Sequence, residues 1–266
     1  MRAVSSYVTK MLRPRDKERA REVSGVKVLL LDKETKVMLS MVVGMNEILA
    51  RDVFLVELLD APHPGMKHIK ALVLVRPTEE NVRLLRTALA APGGPDFAEY
   101  HLFFTNVVPG DALRRLADAD KTGAVHQVQE YYADYYAVAP DAFSLSLTSS
   151  LALSRPRASY STHEEAAMKR AQQGLLALLL SLKVRPLIRY QASSDAASKL
   201  ALELTGSISG ERELFTFSKT GSQTLLVRAP RPPLSHRARR RRRRPATAMP
   251  CLPPLRSSSS TGARTR

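Results

Sequence analysis

The sequence predicts an α/β protein: a doubly wound parallel sheet domain, an incomplete second α/β domain, and a disordered basic tail. Two observations lead to this prediction. Short apolar runs of strand length alternate with helical patterns through the first half of the chain. From Arg228 onward, the composition changes to arginine, proline and serine. We therefore expect domains at residues 1–139 and 140–227 and a tail at residues 228–266.

The chain opens with an amphipathic pattern. Val4, Val8 and Met11 recur at helical spacing, and Pro14 stops the pattern. We expect a helix that packs on the first domain. Because no acidic residue precedes Asp16, a transit peptide is the alternative.

Five apolar runs predict the strands of the first sheet. The first is nearly continuous in valine and leucine, which suits a strand buried on both faces of a parallel sheet. Patterns of helical spacing separate several of the runs. The predicted strands are residues 26–32, 53–59, 71–75, 102–108 and 135–140.

The last two predicted strands enclose a helix with an apolar face. Pro109 ends the fourth strand, and Asp111 can cap the helix that follows. A strand, a crossover helix and a second strand form a βαβ unit, so these two strands should be parallel neighbours. The apolar face of the predicted helix consists of Leu113, Leu116, Ala117, Val125 and Val128.

The second domain is predicted from a similar alternation. A long helix with a leucine-rich second half covers residues 164–182, and a second helix starts at Ser193 or Ser194 and runs through Leu204. The strand-like segments are residues 143–153, 187–190, 214–217 and 224–227.

The net charge of +16 is concentrated in the tail. Twelve of the 41 lysines and arginines are arginines after Val227, where no acidic residue occurs, so 29 basic residues face 25 acidic ones before it. Such a tail would attract phosphates, so a nucleic-acid-binding or nuclear-targeted protein is the alternative function. No aromatic side chain interleaves with the arginines to stack on bases, which argues against specific nucleic-acid recognition.

The motifs of the common enzyme classes are missing from the sequence. Asp32 follows the first strand, where a phosphate-binding loop would need glycines. In residues 206–210, Ile208 takes the place of a nucleophilic serine. The histidines are not paired at ligand spacing, and Cys251 is the single cysteine. We therefore expect a protein that is not an enzyme, with no cofactor, no small-molecule substrate and no membrane span.

Residues 1–227 also resemble a known family. Short segments in matching order are similar to the N-terminal part of the SM family, the syntaxin-binding regulators of SNARE-mediated membrane fusion. The segments are residues 7–11, 26–35, 47–49, 66–71, 74–82, 104–107, 116–120, 128–135, 173–183 and 188–191.

The resemblance implies a fold, a partner and a site. The family has a first α/β domain, a second one interrupted by a third domain, and a central cleft. A short N-terminal peptide of a syntaxin-type SNARE docks on the outer face of the first domain. The matching positions here are Leu113, Leu116, Ala117, Val125, Val128 and Gln129. The same face could instead pack the helix against the sheet, and the sequence leaves both interpretations open.

The resemblance further implies a role in vesicle docking and fusion during endosomal, Golgi or vacuolar transport. The protein would be cytoplasmic and would reach endosomal or Golgi membranes through its SNARE. The similarity stops after Val227, where the family continues its strand toward the third domain. A genuine basic tail and a frame-shifted or mis-spliced continuation would both explain the segment that begins at Arg228.

Overall fold

The structure is a computed structural model that describes residues 2–12, 25–62, 64–147, 162–217 and 224–227. The helices are α1 (Arg2–Leu12), α2 (Lys33–Ser40), α3 (Met45–Leu49), α4 (Glu79–Leu89), α5 (Gly110–Ala119), α6 (Thr162–Leu182) and α7 (Asp195–Gly210). The strands are β1 (Lys27–Leu31), β2 (Val53–Leu58), β3 (Met66–Val75), β4 (Phe97–Phe104), β5 (Val125–Glu130), β6 (Tyr136–Ala139), β7 (Ala142–Ser144), β8 (Leu187–Tyr190) and β9 (Thr224–Val227). The predicted basic tail lies outside the described residues.

Five parallel strands form the main sheet in the order β2-β1-β3-β4-β5. The order reverses direction between β1 and β3, as it does in doubly wound sheets. The predicted fold class is therefore confirmed. Because β5 is at one end of the order, its outer side has no neighbouring strand among the described residues.

Helices cover both faces of the sheet, and successive side chains of each strand point alternately to one face and to the other. One apolar layer joins α1 and α2 to the sheet through Leu29, Leu72 and Phe103. The other layer joins α4 and α5 to the sheet through Leu30, Val73 and Leu102. These central strands read as continuous apolar runs because both of their faces are covered.

Helix α1 packs on the first of these layers. Val4, Val8, Met11 and Leu12 are buried, as the 3.6-residue period of the sequence predicts. Tyr7 stacks on Tyr131 with ring centroids 5.2 Å apart. This geometry agrees with the prediction of a helix packed on the domain.

Several predicted strands differ from the structure in extent, pairing or type. The predicted strand 102–108 belongs to β4 only as far as Phe104, and of the predicted strand 143–153 only residues 143 and 144 lie in β7, while residues 148–153 are outside the described residues. The parallel neighbour of β4 is β5, whereas residues 136–139 form β6, which pairs antiparallel with β7 in a separate hairpin. Pro140 and Asp141 lie in the hairpin turn. The chain reverses there, so β6 pairs with β7 instead of joining the main sheet. Residues 214–217, predicted as a strand, overlap a 3-10 helix, Arg212–Phe215, which buries Phe215.

Helices α6 and α7 and the parallel pair β8–β9 form a further cluster, as predicted for residues 164–227. The Ser194 hydroxyl accepts from the Ala197 backbone N–H and so caps α7. Leucines in the second half of α6 pack against Leu204 and Ile208 of α7. The predicted division of the chain at residue 139 and at residue 227 stays a prediction.

A buried carboxylate joins α6 to the main sheet. The side chain of Asp134 is 3% exposed and pairs with Arg76 at 2.9 Å and with Arg170 at 3.1 Å. The Asn106 amide donates to the same carboxylate at 3.1 Å and to the backbone oxygen of Gln173 at 3.0 Å. We call Arg76, Asn106, Asp134 and Arg170 the Asp134 network. Burial raises the pKa of the Asp134 carboxyl, and the two guanidinium groups oppose that shift.

Gly174 allows α6 to approach this network closely. A Cβ atom at this position would lie 2.5 Å from Leu145 Cδ2 and 3.1 Å from the backbone oxygen of Asp134. The backbone oxygen cannot move without shifting the Arg170 side chain that donates to it at 3.2 Å. A side chain at residue 174 would therefore push α6 away from the sheet.

We predict that Gly174→Ala lowers the free energy of unfolding by about 1–3 kcal/mol, since overpacking costs more than the gain in helix propensity. Urea denaturation followed by circular dichroism measures this change. Gly206→Ala in α7 is the matched control, because a Cβ there has no neighbour within 4 Å. The control should raise stability by up to about 1 kcal/mol, and equal effects of the two substitutions would contradict the close approach.

Candidate peptide-binding surface

Helix α5 and strand β5 carry the residues predicted to bind a peptide. The helix begins after Pro109, whose backbone is the N-cap, and Asp111 lies in its first turn, where it pairs with Arg115 at 3.2 Å. The predicted role of Asp111 as the cap is therefore wrong. An acidic residue at this place still favours the helix, because its charge complements the positive end of the helix dipole.

The predicted helix through Val128 is too long. It ends at Ala119 because the Asp120 carboxylate accepts from the backbone N–H groups of Ala124 and Val125, at 2.8 and 2.9 Å. Gly123 has a φ of +68°, which favours glycine, and it completes the turn. Val125, Val128 and Gln129 consequently lie on β5. The signal for this turn was present in the sequence as an acid followed three residues later by glycine.

The six predicted site residues differ in burial. Leu116 is 4% exposed and belongs to the core under α5. Leu113 is 38% exposed, Val128 is 41% exposed, and Ala117 is also exposed. Val125 and Gln129 are partly buried. Leu116 thus packs the helix on the sheet, whereas Leu113 and Ala117 are open to solvent, and the docking of a peptide at these positions stays a prediction.

Leu113 and Ala117 lie on the side of α5 that faces away from α4. Arg115, on the opposite side, forms an ion pair with Glu79 of α4. Val128 is in register with Leu102, whose side chain lies in the layer beneath α4 and α5, so Val128 points to the same side of the sheet as α5. We call Leu113, Ala117 and Val128 the apolar strip. Its residues lie on α5 and on β5, the next strand along the chain, which stands at one end of the strand order in the described part of the sheet.

Gln129 is separated from the apolar strip. It is in register with Phe103, which belongs to the layer under α1, so its side chain points to the opposite face of β5. Its amide oxygen accepts from Gln127 at 3.0 Å and from the Tyr131 hydroxyl at 3.2 Å. Burial raises the pKa of Tyr131 to about 12, so the hydroxyl keeps its proton and donates. These hydrogen bonds therefore hold the Gln129 side chain on the face of β5 that is opposite to α5.

A second carboxylate holds the connection between β4 and α5. Glu130, the last residue of β5, accepts from the backbone N–H of Val108 at 2.7 Å and from the Tyr132 hydroxyl at 3.0 Å. The Asn106 side chain accepts from the Val107 backbone N–H at 2.9 Å. The hydrogen bonds from the backbone N–H groups of Val107 and Val108 hold the segment that leads into α5.

The crevice at the reversal of strand order is filled by the protein's own polar groups. Asp32, at the end of β1, accepts from the Thr35 backbone N–H, the Arg76 backbone N–H and the Asn81 amide, each at 2.7 Å. Doubly wound folds bind phosphates and cofactors in this crevice, and here an anion would meet a carboxylate. Within the described ranges, no group of three His, Cys, Asp or Glu side chains could hold a metal ion.

A second concave surface lies between α1, the β6–β7 hairpin and the C-terminal end of α6. Its volume is about 930 Å³, and Tyr135, Phe143, Leu178 and Leu182 are among the side chains that line it. It shares no residue with the apolar strip. Nothing in the structure shows what covers it.

A family model and individual relatives point to the same family. Residues 27–228 match the model of the Sec1 family. Vacuolar protein sorting-associated protein 45 of Mus musculus is 41% identical over 226 residues, and that of Dictyostelium discoideum is 36% identical over 225 residues. Each match covers 85% of this chain and 37% of the relative. The chain therefore spans well under half the length of the relatives that it matches.

Solved structures give the same result. The SM protein Vps45 in complex with the Qa SNARE Tlg2 (1-310) aligns with a TM-score of 0.74 and 35% identity, over 85% of this chain and 39% of that chain. Sly1p in complex with an N-terminal peptide of Sed5p aligns with a TM-score of 0.68 over 84% of this chain and 40% of that chain, but at 21% identity this likeness concerns the fold alone. The resemblance found in the sequence is confirmed.

We predict that Leu116→Ala lowers the free energy of unfolding by about 2–4 kcal/mol, because it leaves a cavity under α5. Leu113→Ala should cost less than about 1 kcal/mol, since that side chain is already partly in solvent. Urea titrations of both variants compare the two positions. Equal losses would contradict the division of α5 into a buried face and an exposed strip.

Proposed function

Because the chain belongs to the Sec1 family, we propose that it regulates SNARE-dependent vesicle docking and fusion and catalyses no reaction. Its partner would be a syntaxin-type SNARE, which binds through the N-terminal domain. The transport steps concerned are those of endosomal, Golgi or vacuolar proteins. The matched relatives are longer than this chain, so the activity and partner of the whole protein are proposals for this chain.

The single observation that carries the proposal is the apolar strip on α5 and β5. Its three side chains are exposed, although Leu113 and Ala117 each follow a buried residue of α5 in the sequence. A peptide that places an apolar side chain on Leu113 and Val128 would remove this surface from water without displacing any part of the fold. The outer side of β5 adds backbone groups that have no strand partner in the described part of the chain.

Membrane association would be indirect. No helix in the described ranges is long and apolar enough to cross a bilayer. We propose that the protein is cytoplasmic and peripheral on endosomal or Golgi membranes, and that the bound SNARE holds it there.

We predict that Leu113→Arg and Val128→Arg each weaken the binding of an N-terminal SNARE peptide by more than about tenfold, because a charge is buried against the apolar side chain of the peptide. The probe is a synthetic peptide of the Tlg2 N-terminus, titrated by isothermal calorimetry. Unfolding curves of both variants should stay close to that of the parent chain.

Leu202→Arg is the matched control for this titration. Leu202 is 66% exposed on α7, outside the apolar strip, so the same substitution there should leave the affinity unchanged. If all three variants bind like the parent chain, the apolar strip is not the docking site. Leu116→Arg is unsuitable as a test, because it would place a charge in the core.

The charge of the tail supports a second candidate function, the binding of nucleic acid. All twelve arginines after Val227 lack an acidic neighbour within the tail. Deletion of residues 228–266 should then abolish binding to a double-stranded DNA oligonucleotide, and the affinity of the whole chain should fall steeply as salt rises. A fluorescence anisotropy titration at two salt concentrations measures both. Equal affinity of the whole and the truncated chain would exclude this role of the tail.

A further inference from the structure

The structure buries a histidine in the strand next to β5. His101 of β4 is 3% exposed, and among the described residues neither ring nitrogen has a partner within hydrogen-bonding geometry. The carboxylate of Glu99 lies 3.6 Å from Nε2, beyond hydrogen-bond distance. The neighbouring Gln127 also has a buried side-chain oxygen with no partner. Unsatisfied buried polar groups of this kind are few in folded proteins.

A β-bulge brings a second imidazole to the same place. Tyr100 is in register with Val125 and His101 with Gln127, so His126 is an extra residue on β5. Its ring centroid lies 6.2 Å from that of His101. The two histidines therefore lie next to each other on the paired strands β4 and β5. His126 lies between the predicted site residues Val125 and Val128 on β5.

Charged groups reach this face of the sheet from several elements. Glu99 of β4, which pairs with Lys70 of β3 at 3.2 Å, favours a positive charge on His101, and His126 of β5 disfavours it. Helices α1 and α2 pack on the same face, and their charged residues are all exposed: Arg2, Lys10, Lys33, Glu34 and Lys36.

The sign of the pH dependence follows from this burial. Desolvation lowers the pKa of His101, Gln127 and Glu99 oppose the shift, and His126 adds to it. The folded protein therefore prefers the neutral imidazole. Its contribution to stability is complete above the ordinary histidine value of about 6.5 and is lost as the pH falls below it.

We propose that His101 is a proton-sensitive switch for strand β5 and, through it, for the docking surface. Protonation favours the state in which β5 detaches, because among the described residues β5 pairs with β4 alone and its release exposes His101 to water. Release also removes Val125 and Val128 from their places beside α5. The consequence for peptide capture rests on the proposed function, whereas the opening of β5 does not.

Hydrogen exchange of the full chain tests the opening directly. Between about pH 7.5 and pH 5.5, the protection of the β5 amides, corrected for intrinsic exchange, should fall by about tenfold, as expected for one proton taken up with an ordinary pKa near 6.5. Protection in β1 and β3 should stay constant. An unchanged protection of β5, or an equal loss in all three strands, would overturn the proposal.

Two substitutions separate His101 from other histidines. His101→Phe should abolish the loss of β5 protection, since the phenyl ring cannot take up a proton. His68→Gln is the control, because His68 is an exposed histidine on β3, and this variant should keep the full loss. Persistence of the loss in His101→Phe, or its disappearance in His68→Gln, would overturn the assignment. If His101→Phe does not fold, the exchange of the parent chain still tests whether β5 opens in acid, and an unchanged protection there overturns the proposal.

The same samples distinguish this inference from the proposed function. Titration with the Tlg2 N-terminal peptide at both pH values gives the second readout. If β5 loses protection in acid but the peptide binds at neither pH, the proposed function fails and the switch stands. If the peptide binds while β5 protection is independent of pH, the switch fails and the docking surface stands.

Discussion

The structure depends on one buried carboxylate, that of Asp134. Its ion pairs with Arg76 and Arg170 and its hydrogen bond from Asn106 join the ends of β3 and β4 to helix α6. A buried pair of this kind adds little net stability, but removal of one partner costs about 3–5 kcal/mol because the remaining charge stays buried. Asn106 constrains the candidate site as well, because its side chain also accepts from the Val107 backbone N–H, and Glu130, outside the network, accepts from that of Val108. These contacts hold the segment that leads into α5.

The same arrangement explains why binding would take place on the outer side of the first domain. The strand-end crevice, where doubly wound proteins hold ligands, is occupied by Asp32 and the backbone and amide groups that it binds. At the far edge of the sheet, β5 is paired on one side and α5 leaves two of its apolar side chains in solvent. An edge strand beside an incompletely covered helix is a suitable place for an added peptide, since it needs no opening of the core.

Much of the fold was predictable because burial on both faces leaves a simple signal. The apolar runs of β1, β2 and β3 and the helical periods of α4, α6 and α7 were correct in type. β3 starts five residues before the predicted strand, and α7 ends six residues after Leu204. The fifth strand was not correct, since Val125 and Val128 fit a helical period as well as a strand and the turn at Asp120 decides between them. For the candidate site, the resemblance to the family led to Leu113, Ala117 and Val128, which are exposed in the structure, and peptide binding at these residues stays a prediction. The burial of Leu116 and the opposite direction of Gln129 depend on strand register, which no short pattern in one sequence specifies.

The central claim is that a SNARE segment docks along the apolar strip. The most direct measurement is photo-crosslinking of the full chain, with p-benzoylphenylalanine in place of Val128, to Tlg2 (1-310), followed by mass spectrometry of the linked peptides. The account predicts a crosslink from this residue to the N-terminal segment of the SNARE. A second sample carries the same photoreactive group at Phe143, in the groove beside α6. Crosslinking from residue 143 to that segment, with none from residue 128, would contradict the account.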